Sequence, residues 1–340
     1  MLHSDVDRAR ELVAMARAAE QQEQTGKALA LYDDALSQFS SDSGDPFIAD
    51  VLRWKGTVHR ERGETEAAYR CYAQSMAKAA LGGSPGKLAH ALNCLGTIAQ
   101  RRGDPKETER LYEKASRLAE EAGDSRLVGM IEQNRGVLAN TVGDFSSAAA
   151  FYSKSLAAFE NAGDSEPMSW ILNNLGILNT KIKNFGEARA YLERALAIAI
   201  DRRDTVVENV VTLNLAEAWV GLGRLDLAEQ LCAQALEQAL RRVDHLTVAG
   251  ALKIRASIER QGGALDKSIA TLRIAIYEAG GAEDRLLHAE LLRELGEISR
   301  ALGNPGAARS AWREAVDSFT VVGASREITE IQAELKSLPD

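Results

Sequence analysis

The sequence predicts an all-α, right-handed superhelical solenoid of eight helix-turn-helix repeats, closed by a C-terminal capping helix. Three observations carry this: a constant 40-residue step, columns of small residues locked to that step, and apolar residues at helical spacing inside it. Gly56, Gly96, Gly136 and Gly176 set the step, and it continues to Ala16, Ala216, Ala256 and Gly296. Eight small residues in register define eight repeats.

Further columns keep the same register. One reads Ala28, Ala68, Thr108, Ala148, Ala188, Ala228, Ser268 and Ala308; another reads Ala35, Ser75, Ala115, Ser155, Ala195, Ala235, Ala275 and Ala315. Between these small columns lies a bulky one: Tyr32, Tyr72, Tyr112, Tyr152, Leu192, Cys232, Leu272 and Trp312. Small facing bulky is what interlocking helices require.

Within a repeat, Leu92, Leu95 and Ile98, then Leu111, Tyr112, Ala115 and Leu118, mark two amphipathic helices. Gly63-Glu64, Gly103-Asp104, Gly143-Asp144, Gly223-Arg224 and Gly303-Asn304 mark the turns between them, because glycine accepts the left-handed conformation that ends a helix. Pro105 and Pro305 reinforce the stop. Gly123-Asp124-Ser125 and Gly163-Asp164-Ser165 mark short turns between repeats, so neighbouring helices run antiparallel. The segment Leu81 to Gly86 is the most flexible of these turns and reads as a longer loop. After the eighth repeat, Ser325 is placed to cap a last helix with Ile328, Ile331 and Leu335 on one stripe. The expected organisation is residues 5–324 as one eight-repeat array and 325–338 as its cap.

This pattern of small, small, aromatic and small positions, with Gly-Asp in the inner turn, resembles the tetratricopeptide repeat over nearly the whole chain. The usual repeat has about 34 residues, so the additional length is expected in the second helix and the outer turn. The longer variant resembles Pins-type polarity scaffolds, kinesin light chains, Gram-positive peptide-sensing regulators and the sensor arms of large bacterial activators.

Composition excludes several classes. With 340 residues, 45% hydrophobic and 26% charged, the chain is too apolar to be disordered. A net charge of −8 argues against general nucleic-acid binding, and the doublets Arg101-Arg102, Arg202-Arg203 and Arg241-Arg242 read as solvated helix ends. Three widely spaced cysteines and no secretory signal or membrane-length stretch point to a cytoplasmic protein. No Walker loop, dinucleotide fingerprint, zinc motif or nucleophile elbow is present, and the five histidines are scattered. The Gly-Gly pairs at Gly82, Gly262 and Gly280 read as turns without the lysine that phosphate binding needs. No cofactor, metal or enzymatic activity is expected.

If Gly96 is position 8 of its repeat, positions 4, 7, 8 and 11 of the first helix form the core side, and positions 2, 5, 6, 9, 12 and 13 point away from it. Position 6 is Asn134, Asn174 and Asn214 in three consecutive repeats. The family resemblance implies that this face lines a concave groove and that position-6 asparagines bond the backbone of an extended peptide. An amide suits that task, since it both donates and accepts. Asn93, Gln133, Asn140 and Asn173 extend the polar lining, while Trp170, Met130, Val137 and Ile177 supply apolar contact. Formal charges over the six positions sum to +3, with Arg17, Arg53, Arg60, Arg101, Lys181, Lys253 and Arg260 contributing. A neutral to acidic protein segment is therefore mildly preferred. The family's carboxylate clamp is absent from every run of three repeats, which disfavours chaperone tails. The expected function is a protein-interaction adaptor or scaffold. The alternatives are a sensory module of a bacterial signalling system and a self-assembling scaffold, with homo-oligomers a natural outcome of the latter.

Overall fold

The computed structural model describes residues 2–40, 43–282 and 284–338. Among them the chain forms seventeen α-helices: α1 (Leu2–Gln21), α2 (Thr25–Ser37), α3 (Pro46–Glu61), α4 (Thr65–Leu81), α5 (Pro85–Arg101), α6 (Pro105–Glu121), α7 (Ser125–Thr141), α8 (Phe145–Ala162), α9 (Glu166–Lys181), α10 (Phe185–Asp201), α11 (Thr205–Gly221), α12 (Leu225–Arg242), α13 (His245–Gln261), α14 (Leu265–Gly281), α15 (Arg285–Ala301), α16 (Pro305–Val322) and α17 (Ser325–Ser337). The fold is an all-α helical-repeat solenoid. Two compact units divide the chain, Met1–Pro167 and Met168–Asp340.

The period has a simple origin. Two helices of about 17 residues and two three-residue turns make the 40-residue step, as in α5, α6 and the start of α7. The two helices of that repeat are equal in length, and the outer turn is no longer than the inner one. That corrects the expectation of a lengthened outer turn. Leu81 to Gly86 is likewise no long loop: only residues 82–84 separate α4 from α5. Lys78 Nζ donates to Ser43 O at 3.1 Å and Lys87 Nζ to Pro46 O at 3.0 Å, bracing that end of the repeat.

Helix ends follow local chemistry. Gly103 ends α5 in the left-handed conformation at φ +72°, where a Cβ would clash with the backbone. Lys183 takes the same role in the fifth repeat at φ +62°, at a strain cost that glycine avoids. First helices start on aspartate: Asp124, Asp204, Asp244 and Asp284 accept backbone N–H bonds from Leu127, Val207, Thr247 and Leu287. Asp104 and Asp144 cap α6 and α8 in the same way. Two expectations differ. Gly280 lies inside α14 rather than in a turn. Helix α17 starts at Ser325 itself with Ala324 at the cap position, and the side chain of Ser325 lies outside the described residues.

Small meets bulky as the columns require. A Cβ added to Gly136 would lie 2.5 Å from two ring carbons of Tyr152, and one added to Gly56 would lie 2.6 Å from Tyr72 Cε1. Gly96 against Tyr112, Gly176 against Leu192 and Gly296 against Trp312 are tighter still. Alanine stands in the column at three positions, Ala16 in the repeat of Tyr32, Ala216 in that of Cys232 and Ala256 in that of Leu272, all buried. The serines of the small columns are buried but bonded, Ser75 Oγ donating to Ala49 O at 2.7 Å and Ser155 Oγ to Gly129 O at 2.6 Å.

Candidate functional site

In the unit of residues 1–167, Asp50, Arg53, Trp54, Thr57 and Arg60 recur three or four residues apart on α3 and so share one face. Two guanidinium groups lie over Trp54, Arg17 of α1 at 5.5 Å and Arg53 at 5.4 Å from the ring centroid. Asp50 accepts from Lys87 Nζ at 2.6 Å and from Arg53 Nη2 at 3.4 Å. Arg60 is nearest to Glu61, at 3.7 Å, and its Nε is buried without a hydrogen-bond partner. Beside them on α5, burial pushes the His90 pKa down to about 4; Arg53 and Arg126 act in the same direction, and Asp124 and Asp50 oppose. Burial pushes the Cys94 thiol up, against the opposing pull of Arg53 and Arg60.

The asparagines form pairs. Asn134 Nδ2 on α7 donates to Asn93 Oδ1 on α5 at 3.0 Å. In the unit of residues 168–340, Asn214 Nδ2 on α11 donates to Asn173 Oδ1 on α9 at 2.8 Å. Position 6 of one repeat thus holds position 5 of the repeat before. Asn93 and Asn173 are only 6% and 2% exposed, so they are buried acceptors rather than groove lining. That revises their expected role. Asn134, Asn174, Asn214 and Gln133 are half-buried. In Asn134 and Asn214 the pairing uses one N–H, leaving the carbonyl oxygen and the second N–H for other partners. Asn140 is half-buried with its Oδ1 buried and unpartnered. Met130, Val137 and Trp170 are exposed hydrophobics on their first helices, at 38%, 37% and 37%.

Charge is matched differently in the second unit. Lys253 Nζ donates to Glu290 at 2.5 Å, and Arg260 reaches Glu297 at 3.4 Å and Glu294 at 3.7 Å. Burial opposes the charge of Lys253, yet Glu290 and Glu217 outweigh it and hold its pKa above the ordinary lysine value. Burial pushes Glu294 upward, against the opposing pull of Arg260, Lys253 and Ser257.

Several groups escaped sequence reasoning. His59 Nδ1 and His245 Nδ1 lie 2.5 Å and 2.6 Å from Glu64 and Glu278, linking helix ends. Glu132 is fully buried at position 4, where the other repeats have leucine or, once, threonine. It accepts from Ser116 Oγ at 2.5 Å and Lys154 Nζ at 2.9 Å, with Arg135 at 3.4 Å. The break in the leucine column was the visible signal. Among the described residues, no group of three or more His, Cys, Asp or Glu could hold a metal ion, and no helix is long and apolar enough to cross a membrane.

Three tetratricopeptide repeat family models match residues 13–82, 87–161 and 169–200, together just over half of the chain. The chain is a tetratricopeptide repeat protein. No curated protein matches it by sequence. Among solved structures this tetratricopeptide repeat protein is similar to the apo form of the quorum sensor NprR from B. thuringiensis, with TM-score 0.70 and 14% identity over 92% of this chain and 87% of that one. It is similar to a Rap protein complexed with competence and sporulation factor, with TM-score 0.65 and 12% identity over 96% and 99% of the two chains. A third is a STAND signal-transduction ATPase with a tetratricopeptide repeat sensor from Pyrococcus horikoshii, with TM-score 0.65 and 15% identity over 97% of this chain. The present chain spans about half the length of that protein, 49%.

Proposed function

We propose that this tetratricopeptide repeat protein is a non-enzymatic adaptor that binds an extended or helical segment of a partner protein on the first-helix face of its repeats. Residues 5–324 form the repeat array and 325–338 its cap. The observation that carries the reading is the pairing of Asn134 and Asn214, half-buried amides at position 6 that each spend one N–H on the repeat before and keep the carbonyl oxygen and second N–H. An amide with both a donor and an acceptor left over suits a peptide backbone, which needs both. Both amides are already oriented by that pairing, which lowers the entropy cost of capturing a peptide backbone. Met130, Val137 and Trp170 offer apolar anchors, and the formal charge excess favours a neutral to acidic segment.

A photo-crosslinking residue placed at Val137 tests this in the native host, with the same residue at Val142 in the inner turn as reference. Adducts from Val137 and none from Val142 are expected. Adducts from the inner turn alone would move the binding surface off this face.

A second reading, a sensory module that reports a peptide to an effector, draws support from the likeness to NprR, which has been solved with its cognate peptide NprX. The two readings differ in the adduct. A short free peptide adds little mass to the crosslinked chain, whereas a partner protein adds its whole mass.

A further inference from the structure

We propose that the first-helix face of the unit of residues 1–167 contains a carboxylate subsite, formed by Arg17 and Arg53 over Trp54 with Arg60 two turns further along α3, that takes an acidic side chain of the bound segment. The proposal rests on the peptide-binding reading above and narrows it to one place and one chemistry.

Charge balance separates this place from the rest of the chain. In the second unit the charged pairs on the equivalent face run from one first helix to the next, α13 to α15 and α15 to α17: Lys253 to Glu290, Arg260 to Glu294 and Glu297, Arg293 to Glu330 and Arg300 to Glu334. On α3 and α5 the single carboxylate of Asp50 serves both Arg53 and Lys87. Among the described residues the carboxylate within reach of Arg17 is Glu20 of its own helix, and that carboxylate also accepts the Tyr32 hydroxyl at 2.5 Å. Among the described residues the carboxylate within reach of Arg60 is that of Glu61, its neighbour in sequence, at 3.7 Å. Positive charge is left over.

Geometry turns that excess into a site. Arg53 and Arg60 are seven residues apart, two turns along one helix face, and both act on Tyr72 and Cys94 from the neighbouring helices. Arg17 and Arg53 lie over the same indole, which restrains both side chains before any ligand arrives. All three are arginines, whose planar fork matches a carboxylate with two parallel hydrogen bonds, whereas lysine offers a point charge. A nucleic acid is a poor occupant, because the chain as a whole carries −8.

The experiment is selection of displayed random peptides on the intact chain, on Arg53→Gln/Arg60→Gln, on Arg17→Gln and on Asn134→Ala, each confirmed folded by circular dichroism. Wild type should enrich peptides carrying Asp or Glu. The double arginine variant should still select peptides, without the acidic preference. Arg17→Gln, at an exposed position that leaves α1 intact, should weaken that preference. For the best selected peptide, made with an amidated C-terminus, exchanging its acidic residue for the amide should weaken binding to wild type roughly tenfold or more, fade as salt rises, and leave binding to the double variant unchanged. Peptides selected by wild type without acidic residues, an acidic preference that survives both arginine variants, or binding lost on amidating the terminus would each overturn the subsite. The Asn134→Ala arm then shows whether the groove stands without it. Failure to select any peptide would overturn the groove reading and the subsite together.

Discussion

Asn214 and Asn173 lie 41 residues apart and share a 2.8 Å hydrogen bond, and Asn134 and Asn93 repeat the relationship at 3.0 Å. Each bond runs from a half-buried amide to a buried one, so its loss is felt by the fold as well as by a ligand. Truncating Asn134 or Asn214 to alanine strands a buried carbonyl oxygen, and each change should cost about 1–3 kcal/mol in chemical denaturation. The double substitution Asn93→Leu/Asn134→Leu removes both polar partners and should recover part of that loss. A single variant as stable as wild type would show that the pair is not formed in solution.

Those pairs also mark the limit of what was legible in the sequence. The 40-residue step, the small and bulky columns and the glycine turns were all readable because each is a property of one residue type at one position. The asparagine pair joins position 6 of one repeat to position 5 of the repeat before, and helical periodicity places both on the outward face. Only the approach of neighbouring first helices buries position 5. The stack on Trp54 was hidden for the same reason, since Arg17 and Trp54 belong to different repeats.

Gly136→Ala should destabilise the protein by roughly 1–3 kcal/mol, because the new methyl would sit 2.5 Å from the Tyr152 ring and overpacking outweighs alanine's better helix propensity. Adding Tyr152→Cys, the pairing that Ala216 and Cys232 show in the sixth repeat, removes the ring the methyl would meet, so Gly136→Ala should cost less in that background than in wild type. Gly186→Ala, on α10 with nothing within 4 Å, should be neutral or stabilising. Thermal unfolding of these variants separates a steric cause from a loss of backbone freedom.

His90 should make the protein less stable in mild acid. Its folded pKa is pushed down to about 4 by burial and by Arg53 and Arg126, with Asp124 and Asp50 opposing, while the unfolded histidine titrates near 6.5. Below about pH 6.5 the unfolded chain binds a proton that the folded chain refuses, so stability falls until the folded pKa is reached. Between about pH 6.5 and 4 the loss should be on the order of 1–2 kcal/mol, discounted because the side chain is 28% exposed. In His90→Gln that part of the pH dependence should vanish. An unchanged difference between pH 7 and pH 5 would remove His90 as its source.

Glu132 gives an asymmetric prediction. Its carboxylate is fully buried, and its cationic partners are not committed to it alone: Lys154 also reaches Glu120 at 2.7 Å, and Arg135 also reaches Glu109 at 2.6 Å while stacking on Phe151. Glu132→Leu therefore leaves both cations paired, strands only the Ser116 hydroxyl, and brings position 4 into line with Leu92 and Leu172. Replacing a buried ion pair with a well-packed apolar side chain is often neutral or stabilising, so Glu132→Leu should unfold at or above the wild-type denaturant midpoint. Removing the cations does the opposite. Lys154→Met/Arg135→Met leaves a buried carboxylate with a serine as its remaining partner, and the cost should reach about 3–5 kcal/mol. Adding Glu132→Leu to that pair should recover most of it, because the charge that made the loss expensive is then gone. Equal destabilisation by Glu132→Leu and by the double cation variant would show instead that the carboxylate holds α6, α7 and α8 together as a net attractive centre.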